Sequence, residues 1–353
     1  MPIPVGAHAL LRGVFESTTG SDEVVFLSME DHLPDLFLPA WKGGRIGAVT
    51  IVFPQEAEFG GADIDAFRRY LSGLAPGADN SFFLRDGGIE GDLAGLKVRI
   101  VPFTVWREAP PSGPVIVDLA YILAAYRDEI RTPYTDLVRK TLDLLASRNI
   151  EPHRLFPWVS DREVIPIERA YLTELVNEAF RDPAKFRSGL PAKWEALKMG
   201  EHLAYLGLYE QAITHFDLFM RENPGEPSIH LRIAYMRLMD RDVEGGLRSL
   251  HRAWLADPYF LRGYSAAAFA CYGRGDLETA ERVIRAGLRQ EAGFPDLKAG
   301  LGRILLAQAK KMLAIDPVEA RKRYAEIVPL ELPPEIDRQL RKEWEEAVAP
   351  IVK

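Results

Sequence analysis

Apolar positions follow two different rhythms along this chain, and the change falls near residue 190. Before it, short runs rich in Val, Ile and Phe recur: VVFLSM (Val24–Met29), AVTIVFP (Ala48–Pro54), LKVRIVPF (Leu96–Phe103) and PVIVDLAYI (Pro114–Ile122). Each is bounded by Gly, Pro or Asp and reads as a strand buried on both faces. Between them, ADIDAFRRYLSGL and TDLVRKTLDLLASRNI are amphipathic at helical spacing. In the second, Leu137, Thr141, Leu144 and Leu145 repeat along one face, with charges on the other. Asn149 is expected to close that helix, and Glu151-Pro152 prevents its continuation. Strand–helix alternation predicts a mainly parallel α/β sheet, with ligands at the carboxyl ends of its strands. Arg181–Trp194, with Gly189 and Pro191, reads as a linker. The expected division is an α/β domain over residues 1–185 and a helical domain over 190–353.

The second half keeps a strict period. Gly200, Ala234 and Ala268 stand 34 apart, as do Ala212, Gly246 and Ala280; Pro224 and Pro258 keep the same step. A large apolar residue, Phe216, Leu250 or Ile284, follows each second small residue by four. Such a unit is a helix–turn–helix. Small residues sit where two helices touch, the bulky one fills the groove to the next unit, and proline stops the second helix.

MGEHLAYLGLYEQAITHFDLFMRENP, with Gly200, Ala212, Phe216 and Pro224, resembles the tetratricopeptide repeat. The next unit keeps Ala234, Gly246, Ala253 and Pro258, and AAFACYGRGDLETAERVIRAGL makes a third. A fourth, looser unit spans residues 302–328, with Ala320 and Tyr324 in the small and bulky roles. The tail PPEIDRQLRKEWEEAVAPIV is expected to cover the open end. The resemblance implies a curved helical stack whose concave face holds a peptide or partner protein. Its first helices offer Tyr205, Arg232, Tyr235 and Arg237 as partner-binding candidates. The competing reading is that the stack only buttresses the first domain or joins copies of the chain.

Composition narrows the class without naming an activity. At 353 residues the chain suggests two domains, and 47% apolar with 27% charged residues is the make-up of a folded soluble protein. A net charge of −7 argues against general affinity for nucleic acid or anionic membranes. No apolar run is long enough for a membrane span. The first residues, MPIPVGAHALLRG, lack the features of a signal peptide. With a single cysteine, Cys271, there is no intrachain disulfide, and the expected compartment is the cytoplasm.

Candidate chemistry gathers in the first half. His8 lies in GAHALL; Glu30, Asp31, His32 and Asp35 follow the run at Val24; Asp118 ends PVIV. Carboxylates and imidazoles at strand ends are what a di-metal hydrolase needs to lower the pKa of a bridging water. GAHALL, FLSMEDHLPDL, VIVDLAY and HRLFPWVSDREVIPIERAYLTEL together resemble the ureohydrolases, the family of arginase and agmatinase. That resemblance implies a divalent ion such as manganese, with His8, His32, Asp35 and Asp118 as the metal candidates. Two departures stand out. In MEDHLPD, Asp35 lies one residue too far from His32, and a one-residue shift turns a strand side chain to the other face. In VDLAY the second aspartate position is Ala120, which offers no ligand atom.

Other features weigh less. LRDGGIEGDLAG (Leu84–Gly95) lacks a nucleotide-loop pattern and reads as a flexible turn or lid. Cys271 sits in a helix core and reads as an inert thiol. Ser160 is either a pocket-facing residue or a cap.

The leading expectation is a non-catalytic scaffold: a solenoid that docks a partner, joined to a ureohydrolase-like pseudoenzyme domain. The alternatives are a metal-dependent hydrolase of carbon–nitrogen bonds and a self-assembling structural protein, a homo-oligomer of stacked solenoids.

Overall fold

A computed structural model describes residues 23–27, 46–54, 58–74, 81–93, 95–106, 113–118, 121–122, 125, 132–150, 155–158 and 171–349. The chain divides into two compact units, Met1–Val164 with Leu172–Lys198, and Ile165–Tyr171 with Met199–Lys353.

The first unit is built on one sheet. Its strands are β1 (Glu23–Leu27), β2 (Ala48–Phe53), β3 (Phe83–Arg85), β4 (Gly88–Leu93), β5 (Leu96–Pro102), β6 (Val115–Asp118) and β7 (Leu155–Trp158). They lie in the order β3-β4-β5-β2-β1-β6-β7. The stretch from β5 to β7 is parallel throughout, whereas β3, β4 and β5 pair antiparallel, so the sheet is mixed. The four expected apolar runs supply β1, β2, β5 and β6. Val24, Phe26, Val49, Ile51, Val98 and Ile100 pack on one face against Ile64 and Phe67 of α1 (Gly61–Leu74). Val25, Leu27, Val52, Val101, Val115 and Val117, which point the other way, are equally buried. Burial on both faces is why these strands show no polar alternation.

The glycine-rich stretch expected to be a flexible turn or lid is instead a tight hairpin. Phe83 pairs with Glu90 and Arg85 with Gly88. Asp86 (φ 47°) and Gly87 (φ 73°) both take the left-handed conformation that a two-residue hairpin turn requires. A Cβ on Gly91 would lie 2.5 Å from the Phe82 ring, so glycine lets that ring pack across the strand.

Helix α2 (Tyr134–Ser147) ends as expected at Asn149, which is left-handed (φ 56°) and donates its N–H to the Ala146 carbonyl at 3.0 Å. The stretch expected as a linker is anchored instead. It runs from the end of α3 (Leu172–Arg181) through α4 (Pro183–Ser188), which Asp182 caps, into the first turn of α5 (Ala192–Tyr205). Phe186 and Trp194 are buried. The Trp194 indole donates to Glu178 at 2.8 Å, and Lys193 bonds Glu174 at 2.9 Å and also Glu178. Burying one tryptophan contributes on the order of 5 kcal/mol, whereas the partly buried Lys193–Glu178 pair spends much of its attraction on its own desolvation. Packing, more than charge, fixes this segment. The division between Lys198 and Met199 falls within α5.

The second unit is an array of tetratricopeptide-like helix pairs. After α5 come α6 (Tyr209–Glu222), α7 (Pro227–Met239), α8 (Val243–Ala256), α9 (Arg262–Gly273), α10 (Leu277–Gln290), α11 (Pro295–Met312), α12 (Pro317–Ala325) and α13 (Pro334–Val348). The small residues of the 34-residue period sit at helix contacts. A Cβ on Gly200 would meet the Phe216 ring at 2.7 Å, and one on Gly246 would meet Leu238 at 2.6 Å. Ala212, Ala234, Ala280, Phe216, Leu250 and Ile284 are fully buried. Asp242 and Asp276, 34 residues apart, cap α8 and α10 by accepting from Gly245 N and Thr279 N. The tail packs on the last pair: Leu340 of α13 is buried, and Trp344 stacks on Tyr324 with centroids 4.6 Å apart.

Candidate functional site

The first helices of successive pairs, α7, α9 and α11, lie against one another. The repeat step aligns Glu201, Tyr235, Phe269 and Arg303 at one position of α5, α7, α9 and α11. Tyr235 is half-buried against the helical core, whereas Phe269 is exposed. Phe269 meets the exposed Tyr272 edge to face, with ring centroids 6.4 Å apart. The inward side of α9 carries Gly263, Tyr264, Ala267, Ala268 and Cys271, all buried. Tyr205 is exposed at the end of α5. Phe269 and Tyr272 were not among the sequence candidates, although one step of 34 from Tyr235 leads to Phe269.

Two of the arginines singled out as partner-binding candidates make internal bonds. Arg237 donates to the Gly245 carbonyl and to Ser249 Oγ, both at 3.3 Å, and so braces α7 against α8. Arg232 forms a buried cluster with Glu201 and Tyr171. Its Nη1 lies 2.6 Å from Glu201 Oε1 and 2.9 Å from the Tyr171 hydroxyl, and that hydroxyl donates to Glu201. The guanidinium also lies 5.3 Å from the centre of the Phe216 ring. The Glu201 side chain is 0% exposed and that of Arg232 only 14%. Burial works against the Arg232 charge, but Tyr171 and Glu201 outweigh it and hold the guanidinium more firmly protonated than usual. The cluster ties α5 to α7.

An open cleft of about 560 Å³ lies between the α9–α10 turn and α11 with α12. Glu281 is its centre, accepting from Arg285 Nε at 2.8 Å, from Gln308 Nε2 at 3.0 Å and from Arg323. Burial pushes the Glu281 carboxyl up, yet these donors hold it below the usual carboxylate range. Arg323 and Arg285 also bond Glu326, at 2.7 and 3.0 Å. This network joins α10 to α12.

Of the four metal candidates, Asp118 is fully buried at the end of β6, in register with Trp158 of β7. His8, His32 and Asp35 lie outside the described residues, as do Glu30, Asp31 and Ser160. Among the described residues, no three or more His, Cys, Asp or Glu side chains gather as a metal site. Cys271 is buried, and burial, with Asp276 adding to it, pushes its thiol up to about 11. It lacks the thiolate character of a nucleophile. Among the described residues no helix is long and apolar enough to cross a membrane.

No family model matches the chain. No curated protein matches it either. Several solved structures do. A crystal structure of MamA is 16% identical over 48% of this chain and 96% of its own length, with a TM-score of 0.27. TTC0263, a thermophilic TPR protein of Thermus thermophilus, is 24% identical over 45% of this chain and all (100%) of its own, with a TM-score of 0.24. MamA from Desulfovibrio magneticus RS-1 is 20% identical over 47% of this chain and 91% of its own, at a TM-score of 0.27. At such scores the likeness adds nothing to the helix pairs already visible in this chain.

Proposed function

We propose that this protein is a non-catalytic interaction scaffold whose helical array docks a partner protein or peptide along the first helices of its pairs. The exposed Phe269–Tyr272 pair, one repeat step on from the half-buried Tyr235, carries this reading. Large rings cost apolar surface when left in water, and aromatic anchors are enriched at binding hot spots. The α/β unit is proposed as a retained binding module of ureohydrolase-like ancestry. That part rests on the motifs around His8, His32, Asp35 and Asp118, of which Asp118 alone is described.

The test is affinity capture with the full chain, followed by titration of the purified partner. Phe269→Ala with Tyr272→Ala should weaken binding by about 30-fold or more, as expected when a hot-spot pair is lost. The helical circular-dichroism signal should not change, since both rings are exposed. A double variant that holds its partner as tightly as the parent protein overturns the reading.

A further inference from the structure

Each helix pair turns back on itself, so the turns within the four pairs fall on one edge of the second unit. The first turn carries Leu206 and Leu208, 58% and 42% exposed. The last carries Ile315 and, at the start of α12, Val318, 85% and 64% exposed. The two middle turns are charged, Asp240-Arg241-Asp242 and Arg274-Gly275-Asp276. The edge therefore reads apolar, charged, charged, apolar. On the opposite edge, Leu255 and Val328 are exposed singly. Scattered exposed apolar residues are ordinary on a soluble surface, whereas a doublet at each end of one edge is a pattern.

We infer that this edge binds a second copy of the chain, the two copies running antiparallel about a two-fold axis between the second and third pairs. A two-fold axis requires a self-complementary surface, and this pattern is self-complementary in that direction. Leu206 and Leu208 of each copy cover Ile315 and Val318 of the other. The middle turns then face one another. Arg241, held in the left-handed conformation (φ 67°), meets Asp276 and the mouth of the cleft, where Glu278 and Glu319 stand. Arg274, which also donates to the Met239 carbonyl at 2.9 Å, meets Asp240. Asp242 and Asp276 also cap α8 and α10, accepting from Gly245 N and Thr279 N. The apolar ends supply cohesion and the charged middle sets direction. A register slipped by one pair would set leucines against charges, which costs desolvation without pairing.

The full chain should sediment as a dimer at micromolar concentration. Leu206→Asp with Ile315→Asp should weaken self-association by about 100-fold or more while the helical signal is retained. Arg241→Glu should weaken it by about tenfold, an effect that shrinks in about 0.5 M salt. Leu255→Asp with Val328→Asp, on the other edge, should change nothing. Leu206→Cys with Ile315→Cys should form an oxidised cross-chain dimer, and neither single variant should. A parent chain that stays monomeric at about 100 µM overturns the inference, as does a dimer indifferent to Leu206 and Ile315. The inference does not rest on partner docking: a monomer that still captured a partner would remove this proposal alone.

Discussion

Replacing Arg232 by methionine keeps most of the side chain's length and removes its charge. Glu201 then remains with its carboxylate fully buried and without the guanidinium 2.6 Å away. Taking one partner from a buried ion pair costs about 3–5 kcal/mol, because the remaining carboxylate, although it still accepts from the Tyr171 hydroxyl, keeps its desolvation penalty without an opposite charge. The lost contact with the Phe216 ring adds to that. At ~2–4 °C per kcal/mol for a unit of this size, the melting temperature should fall by about 6–20 °C. The assay is calorimetry with urea unfolding, run as a double-mutant cycle with Glu201→Leu. The double variant should recover about 2 kcal/mol or more of the summed single losses, since it leaves no orphaned charge. Arg232→Met costing less than about 1 kcal/mol, the range of surface pairs, would refute the cluster's role. So would strictly additive single effects.

Gly246→Ala should destabilise by about 1–3 kcal/mol in thermal melts, because its new methyl meets Leu238 at 2.6 Å. Gly225→Ala, with nothing within 4 Å of the added carbon, should stay within about 0.5 kcal/mol of the parent. Glu281 has a folded-state pKa below its ordinary 4.5, so its contribution is complete above 4.5 and lost as pH falls through the folded value. Glu281→Gln should therefore flatten the acid limb of a melting-temperature profile taken from about pH 6 to about pH 3. Native Cys271, with its thiol at about 11, should react with a thiol reagent far more slowly than in denatured protein.

The strands β1, β2, β5 and β6 were legible because burial on both faces writes an unbroken apolar run into the sequence. The repeats were legible for a different reason. Close helix contacts admit only small side chains, and the fixed geometry of a pair spaces them evenly. The hairpin was missed because β3 is exposed and β4 rich in glycine, although Asp86-Gly87 carried the turn's signature. The anchored segment at Trp194 was hidden because Gly189 and Pro191 mark corners whether or not the chain between them is free. Arg232 could not be placed from sequence at all. Its partners are 31 and 61 residues away, and only tertiary approach separates an inward arginine from an outward one. Phe269 was within reach, had the period been applied to surface positions as well as to small ones.

Among the described strands, both borders of the first unit's sheet are of a kind that resists strand addition. At one border β3 offers only three residues, flanked by the Arg85–Asp86 ion pair. At the other, β7 carries Pro157, which has no amide hydrogen to donate to a newcomer. Short, charged or proline-bearing borders deter strand addition and the fibrous growth that can follow it. On the docking role proposed above, another chain would be held by side chains of the helices and not by a backbone ladder.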